Sequence, residues 1–144
     1  MTVPGDFTAG DVLQASDMNG LPAGVIGYGN LEADQYWTTS YVDITNLSVT
    51  FTADASRLYK ASFIGLCSQS SFLIITDGSN NQLQQMENNA TGFITISGFV
   101  LLSGISGSYT VKARGKGGST GASYRLEAAN VRPATLVVED IGAA

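Results

Sequence analysis

The chain has 144 residues, of which 44% are hydrophobic and 13% charged. This is about one domain with enough apolar material for a single core, and the composition excludes a disordered chain. With 7 Lys and Arg against 12 Asp and Glu, the net charge of −5 argues against a nucleic-acid binder, which needs a basic face.

In chain order, residues 1–23 read as an N-terminal arm punctuated by Pro4, Gly5, Gly10, Gly20 and Pro22. Its apolar side chains are Phe7, Val12, Leu13, Met18 and Leu21. Val12, Leu13 and Met18 can share one edge of a short helical turn, capped by Ser16 or Asp17 and stopped by Gly20. A turn that short is not stable alone and must lie against a partner surface or its own domain. The start of the chain has neither a basic segment nor an apolar stretch, so no signal peptide is expected. The longest apolar runs, residues 72–75 and 99–102, are too short to span a bilayer.

From residue 24 the pattern is that of strands. Residues 25–31 form the first. Residues 47–53 alternate strictly, with Leu47, Val49, Phe51 and Ala53 inward and Ser48, Thr50 and Thr52 outward. Residues 54–56 read as a turn and 57–67 as the returning strand. A further strand over 72–76 closes on Asp77-Gly78, a dipeptide favoured where a hairpin needs positive φ, and 82–87 pairs back. Residues 93–102 are apolar on both faces in places, as a central strand would be if the core covered one side and a neighbour the other. Strands over 109–114 and 124–128 flank a glycine-rich loop at 115–121, and 134–141 closes the chain. About eight or nine short strands at 8–12-residue spacing predict an all-β fold, a single jelly-roll-like β-sandwich over residues 24–144 preceded by the arm. No internal repeat, heptad segment or second domain is visible.

Histidine is absent, which removes the commonest general base and metal ligand and every Ser-His or Cys-His pair. The acids are scattered singly, and the adjacent Glu139 and Asp140 point to opposite faces of a strand. The run 115–121 lacks the Gly-x4-Gly-Lys-Ser/Thr spacing of a phosphate loop and leads into a strand. Residues 77–81 place oxygens at alternate positions as a calcium loop begins, but Gln82 stands where that loop needs Gly and Asn88 where it needs an acid. No enzymatic activity, cofactor or metal is therefore expected. The lone Cys67 cannot form an internal disulfide; it reads as a buried thiol in a chain that folds in a cytoplasm. Tyr36, Trp37 and Tyr41, with Tyr28 nearby, concentrate aromatic rings that suit a subunit contact, a glycan contact or, for Trp37, a cap on the sandwich core.

Two terminal motifs carry a resemblance. Residues 7–19 read Phe-Thr-Ala-Gly-Asp-Val-Leu-Gln-Ala-Ser-Asp-Met-Asn, and residues 132–142 read Arg-Pro-Ala-Thr-Leu-Val-Val-Glu-Asp-Ile-Gly. Together they resemble the small structural proteins of tailed-bacteriophage virions, a group that includes head-decoration, head-fibre, minor tail and tail-fibre proteins. The resemblance implies a virion protein assembled in the bacterial host cytoplasm. A head-decoration or minor capsid protein is the leading expectation, with the arm docking on the major capsid protein or another virion protein. The alternatives are a minor tail or fibre-tip protein whose loops touch a host-surface glycan and, from a different class, a free carbohydrate-binding module. The resemblance also implies a homotrimer, and the two-sided strand places Phe93, Phe99 and Leu101 at its interface. Neither nucleic acid nor membrane is an expected partner.

Overall fold

The computed structural model describes residues 21–144. Ten strands follow one another: β1 (Gly24–Leu31), β2 (Gln35–Tyr36), β3 (Val42–Ala53), β4 (Arg57–Cys67), β5 (Ser71–Asp77), β6 (Gln82–Asn88), β7 (Ile94–Leu102), β8 (Gly107–Gly117), β9 (Arg125–Glu127) and β10 (Ala134–Ala143). They form two antiparallel sheets. In the first, β4 pairs with β10 and with β7 through the same residues, Tyr59 to Ile64, so those two strands lie on opposite sides of it. With β1 beside β10 the order is β1-β10-β4-β7, and the short β9 and β2 continue beyond β10's end of β4. The second sheet runs β3-β8-β5-β6.

The pairing is nested: β1 with β10, β3 with β8, β4 with β7, and β5 with β6. That is one long antiparallel hairpin rolled into two facing sheets, the jelly roll. The all-β sandwich read from strand rhythm is the fold observed.

Each long strand turns one set of side chains inward. Tyr59, Ala61, Phe63 and Cys67 of β4 and Leu136 and Val138 of β10 meet Leu47, Val49 and Phe51 of β3, Leu73 and Ile75 of β5, and Val111 and Ala113 of β8. Burial pushes the Cys67 thiol up to about 12, so it stays protonated and inert. On β1 the inward positions are Gly27 and Gly29. A Cβ on Gly29 would lie 2.1 Å from the carbonyl oxygen of Asn46, so only glycine lets β1 close the sandwich against β3 there. Asn46 itself has φ 64°, at the irregularity where β3 loses register with β8 between Asp43 and Ser48. That kink interrupts the alternation and hides residues 42–46 from a period-2 reading.

Three expectations are corrected. β7 is an edge strand rather than a central one, because β4 is its only partner among the described residues. Gly115 and Gly117 belong to β8 and are buried rather than part of an exposed loop. At the β5–β6 turn the left-handed residue is Asn80 (φ 69°), not Gly78. There, Asp77 Oδ1 accepts the N–H groups of Ser79 and Asn81, and Oδ2 accepts the Asn81 amide, so the carboxylate holds its own turn together.

Arg57 and Asp140 fasten the start of the domain to its last strand. Arg57 Nε donates to Asp140 Oδ2 at 2.9 Å and Nη2 to Oδ1 at 2.7 Å, while Nη2 also reaches the Leu21 carbonyl at 2.6 Å. Burial alone would raise the Asp140 pKa, but hydrogen bonds from Arg57 and from the Gly142 and Ala23 backbone, with the Arg57 charge, bring it below the usual aspartate range. A folded-state pKa below the unfolded one stabilises the domain above about pH 4 and loses that contribution as pH falls through the folded value. Asp140→Asn should therefore cost about 2–3 kcal/mol at pH 7, and urea melts at pH 3 should show the gap to wild type shrinking. An equal gap at both pH values would mean the ion pair is not the source.

Candidate binding face

The two outer faces of the sandwich differ in character. On the β3-β8-β5-β6 sheet the outward residues of β3 and β8 are polar. Thr50 and Thr110 share a hydrogen bond at 2.8 Å, and Asp43 binds Lys112 at 3.2 Å and Arg114 at 2.7 Å. Lys116 Nζ stands 4.8 Å from the Tyr41 ring centroid and 5.5 Å from that of Phe72.

The outer face of the other sheet is apolar and aromatic. Antiparallel register sets its side chains in rungs across four strands, since outward positions on neighbouring strands stand side by side. One rung is Tyr28–Val137–Ser62–Phe99, and the next is Asn30–Thr135–Ile64–Ser97. On the other flank lies Lys60 with Glu139 and Leu101. Tyr28 is 67% and Phe99 54% exposed, and Ile64 and Leu101 are also open to solvent. Tyr28 and Phe99 end the same rung three strand spacings apart, about 14 Å.

A trough of about 740 Å³ lies on this face, lined by Ile64, Val137, Phe99, Ser62, Lys60 and Gln84 among others. Lys60 Nζ is 5.2 Å from the Phe99 centroid, a cation–π contact that braces the ring. Glu139 is 4.0 Å from Lys60. At the β7 edge the trough meets a polar furrow of about 450 Å³ between β7 and β6, lined by Gln85, Glu87 and Thr95. Gln84, Ser97 and Gly98 line both. Gly98 is bare because Met86 fills the space behind it: a Cβ there would lie 2.4 Å from Met86 Sδ.

The aromatic residues near residue 36 do not share one surface, and of the readings given for Trp37 the core position is the one observed. Trp37 is 2% exposed and donates its ring N–H to Ser71 Oγ at 2.7 Å, which makes it a core residue. Tyr36 is exposed beside Arg125 on the β2–β9 ladder, whereas Tyr41 is half-buried against Lys116 at the other sheet. Phe99 and Leu101 do share the outer face. Phe93 sits apart, with the Arg125 guanidinium 4.7 Å from its ring centroid. β7 is an edge strand, yet both its faces carry apolar side chains, Ile96 and Leu102 inward and Phe99 and Leu101 outward. Of the arm's apolar docking residues only Leu21 is described, and it is exposed; Phe7, Val12, Leu13 and Met18 lie outside the described residues.

Asp34 and Glu127, on the β2–β9 side, hold structure together. Asp34 Oδ1 accepts the Ala128 N–H and Oδ2 lies 3.1 Å from Arg125, while Glu127 bridges Arg125 and Arg132. Among the described residues no group of three or more His, Cys, Asp or Glu is placed to hold a metal ion, and no helix is long and apolar enough to cross a membrane.

No family model and no curated protein matches the chain. Among solved structures, the CBM22-1 xylan-binding domain of Paenibacillus barcinonensis Xyn10C is similar over 82% of this chain and 88% of that one, at 12% identity and a TM-score of 0.23. A likeness that slight carries no argument about ligand or partner. The fold defines the class: a jelly-roll β-sandwich.

Proposed function

We propose that the chain is a non-enzymatic structural protein of a tailed-phage virion, a head-decoration or minor capsid protein that docks through residues 1–23 and displays the jelly roll. The observation that supports this reading is that Leu21 and Ala23, which follow the N-terminal motif, meet the C-terminal motif. The C-terminal motif is β10, an inner strand of its sheet whose Leu136 and Val138 are fully buried. Its Asp140 binds Arg57, which in turn holds the Leu21 carbonyl. Residues 21–23 lie at the end of the sandwich where the last strand finishes, the end that this reading gives to attachment. A minor tail or fibre-tip location is the second reading, favoured by the aromatic trough, which suits contact with a host surface.

Deletion of residues 1–20 tests the proposal, because it keeps the Leu21 and Ala23 contacts. In a host making only the truncated protein, purified particles should lack it by mass spectrometry, although circular dichroism shows a cooperative melt within a few degrees of wild type. Truncated protein found in particles at wild-type copy number would place the docking surface on the sandwich. Wild-type protein missing from purified particles would end the virion reading altogether.

A further inference from the structure

The trough and the furrow are one connected surface with two chemistries. On one side stand an exposed ring, Phe99, and the aliphatic side chains of Ile64 and Val137. On the other are the amides and hydroxyls of Gln84, Gln85, Ser97 and Thr95. We infer that this surface is a binding site for a neutral oligosaccharide, with Phe99 as the stacking platform and the β6–β7 edge as the hydrogen-bonding side. The inference stands on the sheet geometry and holds wherever the protein is displayed.

A pyranose ring is itself two-sided: its C–H faces are apolar and its rim carries hydroxyls that donate and accept. Such a ligand can lie against an aromatic face and satisfy amides at the same time. The trough and the furrow each fall within the size range of small-ligand sites. Charge argues for a neutral ligand. Lys60 is opposed by Glu139 at 4.0 Å, and Glu87, which accepts from the Asn89 amide, adds a negative group at the furrow, so an acidic sugar would be repelled. The hydroxyl of Ser62 lies on the trough floor, buried and without a hydrogen-bond partner. A second protein chain laid across the face with apolar side chains would strip water from Gln84 and Ser97 without replacing its hydrogen bonds.

The test uses the full chain and a panel of neutral hexasaccharides of glucose, N-acetylglucosamine, mannose and galactose, with hexagalacturonate as the acidic control. Titration calorimetry should give a Kd of about 1 mM or tighter for at least one neutral probe and no heat for the acidic one. Backbone amide NMR shifts should cluster at residues 84–86 and 95–99. Phe99→Ala and, separately, Gln84→Ala should each weaken binding about tenfold or more, whereas Phe72→Ala on the opposite sheet should not. Phe99 is exposed and Gln84 half-buried at the sheet edge, outside the core cluster, so the variants should keep the wild-type dichroism spectrum. The inference is overturned if no neutral probe binds or if Phe99→Ala leaves the affinity unchanged. It is equally overturned if the wild type sediments as an oligomer that Phe99→Ala disperses, because the face is then a contact between copies. Loss of sugar binding would leave incorporation into particles untouched, so failure here and failure of the virion reading are separable.

Discussion

Trp37→Ala is expected to cost about 3–5 kcal/mol, enough to leave much of the protein unfolded at moderate urea. The ring lies across β8 at two glycines. A Cβ on Gly115 would come within 2.4 Å of Trp37 Cη2, and one on Gly117 within 2.9 Å of Trp37 Cβ. With no side chains at those two positions, β8 offers nothing there to relax into the cavity. The backbone around the ring is tied as well: Trp37 N–H donates to the Tyr124 carbonyl at 2.9 Å, and Gly117 N–H to that of Thr38 at 2.9 Å. Trp37→Phe keeps most of the ring and loses the bond to Ser71, so about 1–2 kcal/mol is expected. Urea unfolding followed by far-ultraviolet dichroism separates the two, since this is the chain's single tryptophan and fluorescence is lost with it. A cost below about 1 kcal/mol for Trp37→Ala would show that the ring does not close the core.

Asn88→Leu is expected to destabilise by about 3 kcal/mol, although leucine has similar volume. The amide is fully buried, and its nitrogen donates to the carbonyls of Cys67 at 3.0 Å, Ser68 at 2.9 Å and Gly92 at 3.0 Å. Its oxygen accepts the Ala90 N–H at 2.9 Å. One side chain thus binds the end of β4 to the turn between β6 and β7. Leucine would fill the space and leave those backbone groups unpaired, whereas Asn88→Asp keeps the acceptor but sets a carboxylate among carbonyls and should be at least as harmful. Thermal melts rank the variants. Amide hydrogen exchange should show the turn at 89–93 opening first in Asn88→Leu, and unchanged protection there would mean other contacts hold the turn.

Much of the fold was legible along the chain because a strand's side-chain period is local. The alternation at 47–53 and the returning strand at 57–67 both stand in the structure as read, and Glu139 and Asp140 do face opposite ways. β2 escaped because two residues carry no period. The first half of β3 escaped because the kink at Asn46 breaks the alternation. The glycines at 115 and 117 looked like a loop because their cause, the Trp37 ring, is remote in the chain and cannot be inferred from neighbours. For the binding face, the exposed position of Phe99 followed from its strand. The partners that give it meaning did not: Tyr28 and Val137 reach it through register, and Gln84 reaches it through the packing of two sheet edges. The one local hint was the amide-rich stretch 82–89, whose glutamines and asparagines exceed what a hairpin strand needs.

The residue pattern alone therefore established an all-β chain with a single buried thiol, because composition and period act over a few residues. The order of strands, and with it the identity of the apolar outer face, was set only when the long hairpin rolled up. A rung such as Tyr28–Val137–Ser62–Phe99 joins four strands far apart in sequence. Hydrophobic burial drives that closure but is blind to direction; backbone hydrogen bonding and the close passage of β1 at Gly29 select the one register in which those four side chains stand in line.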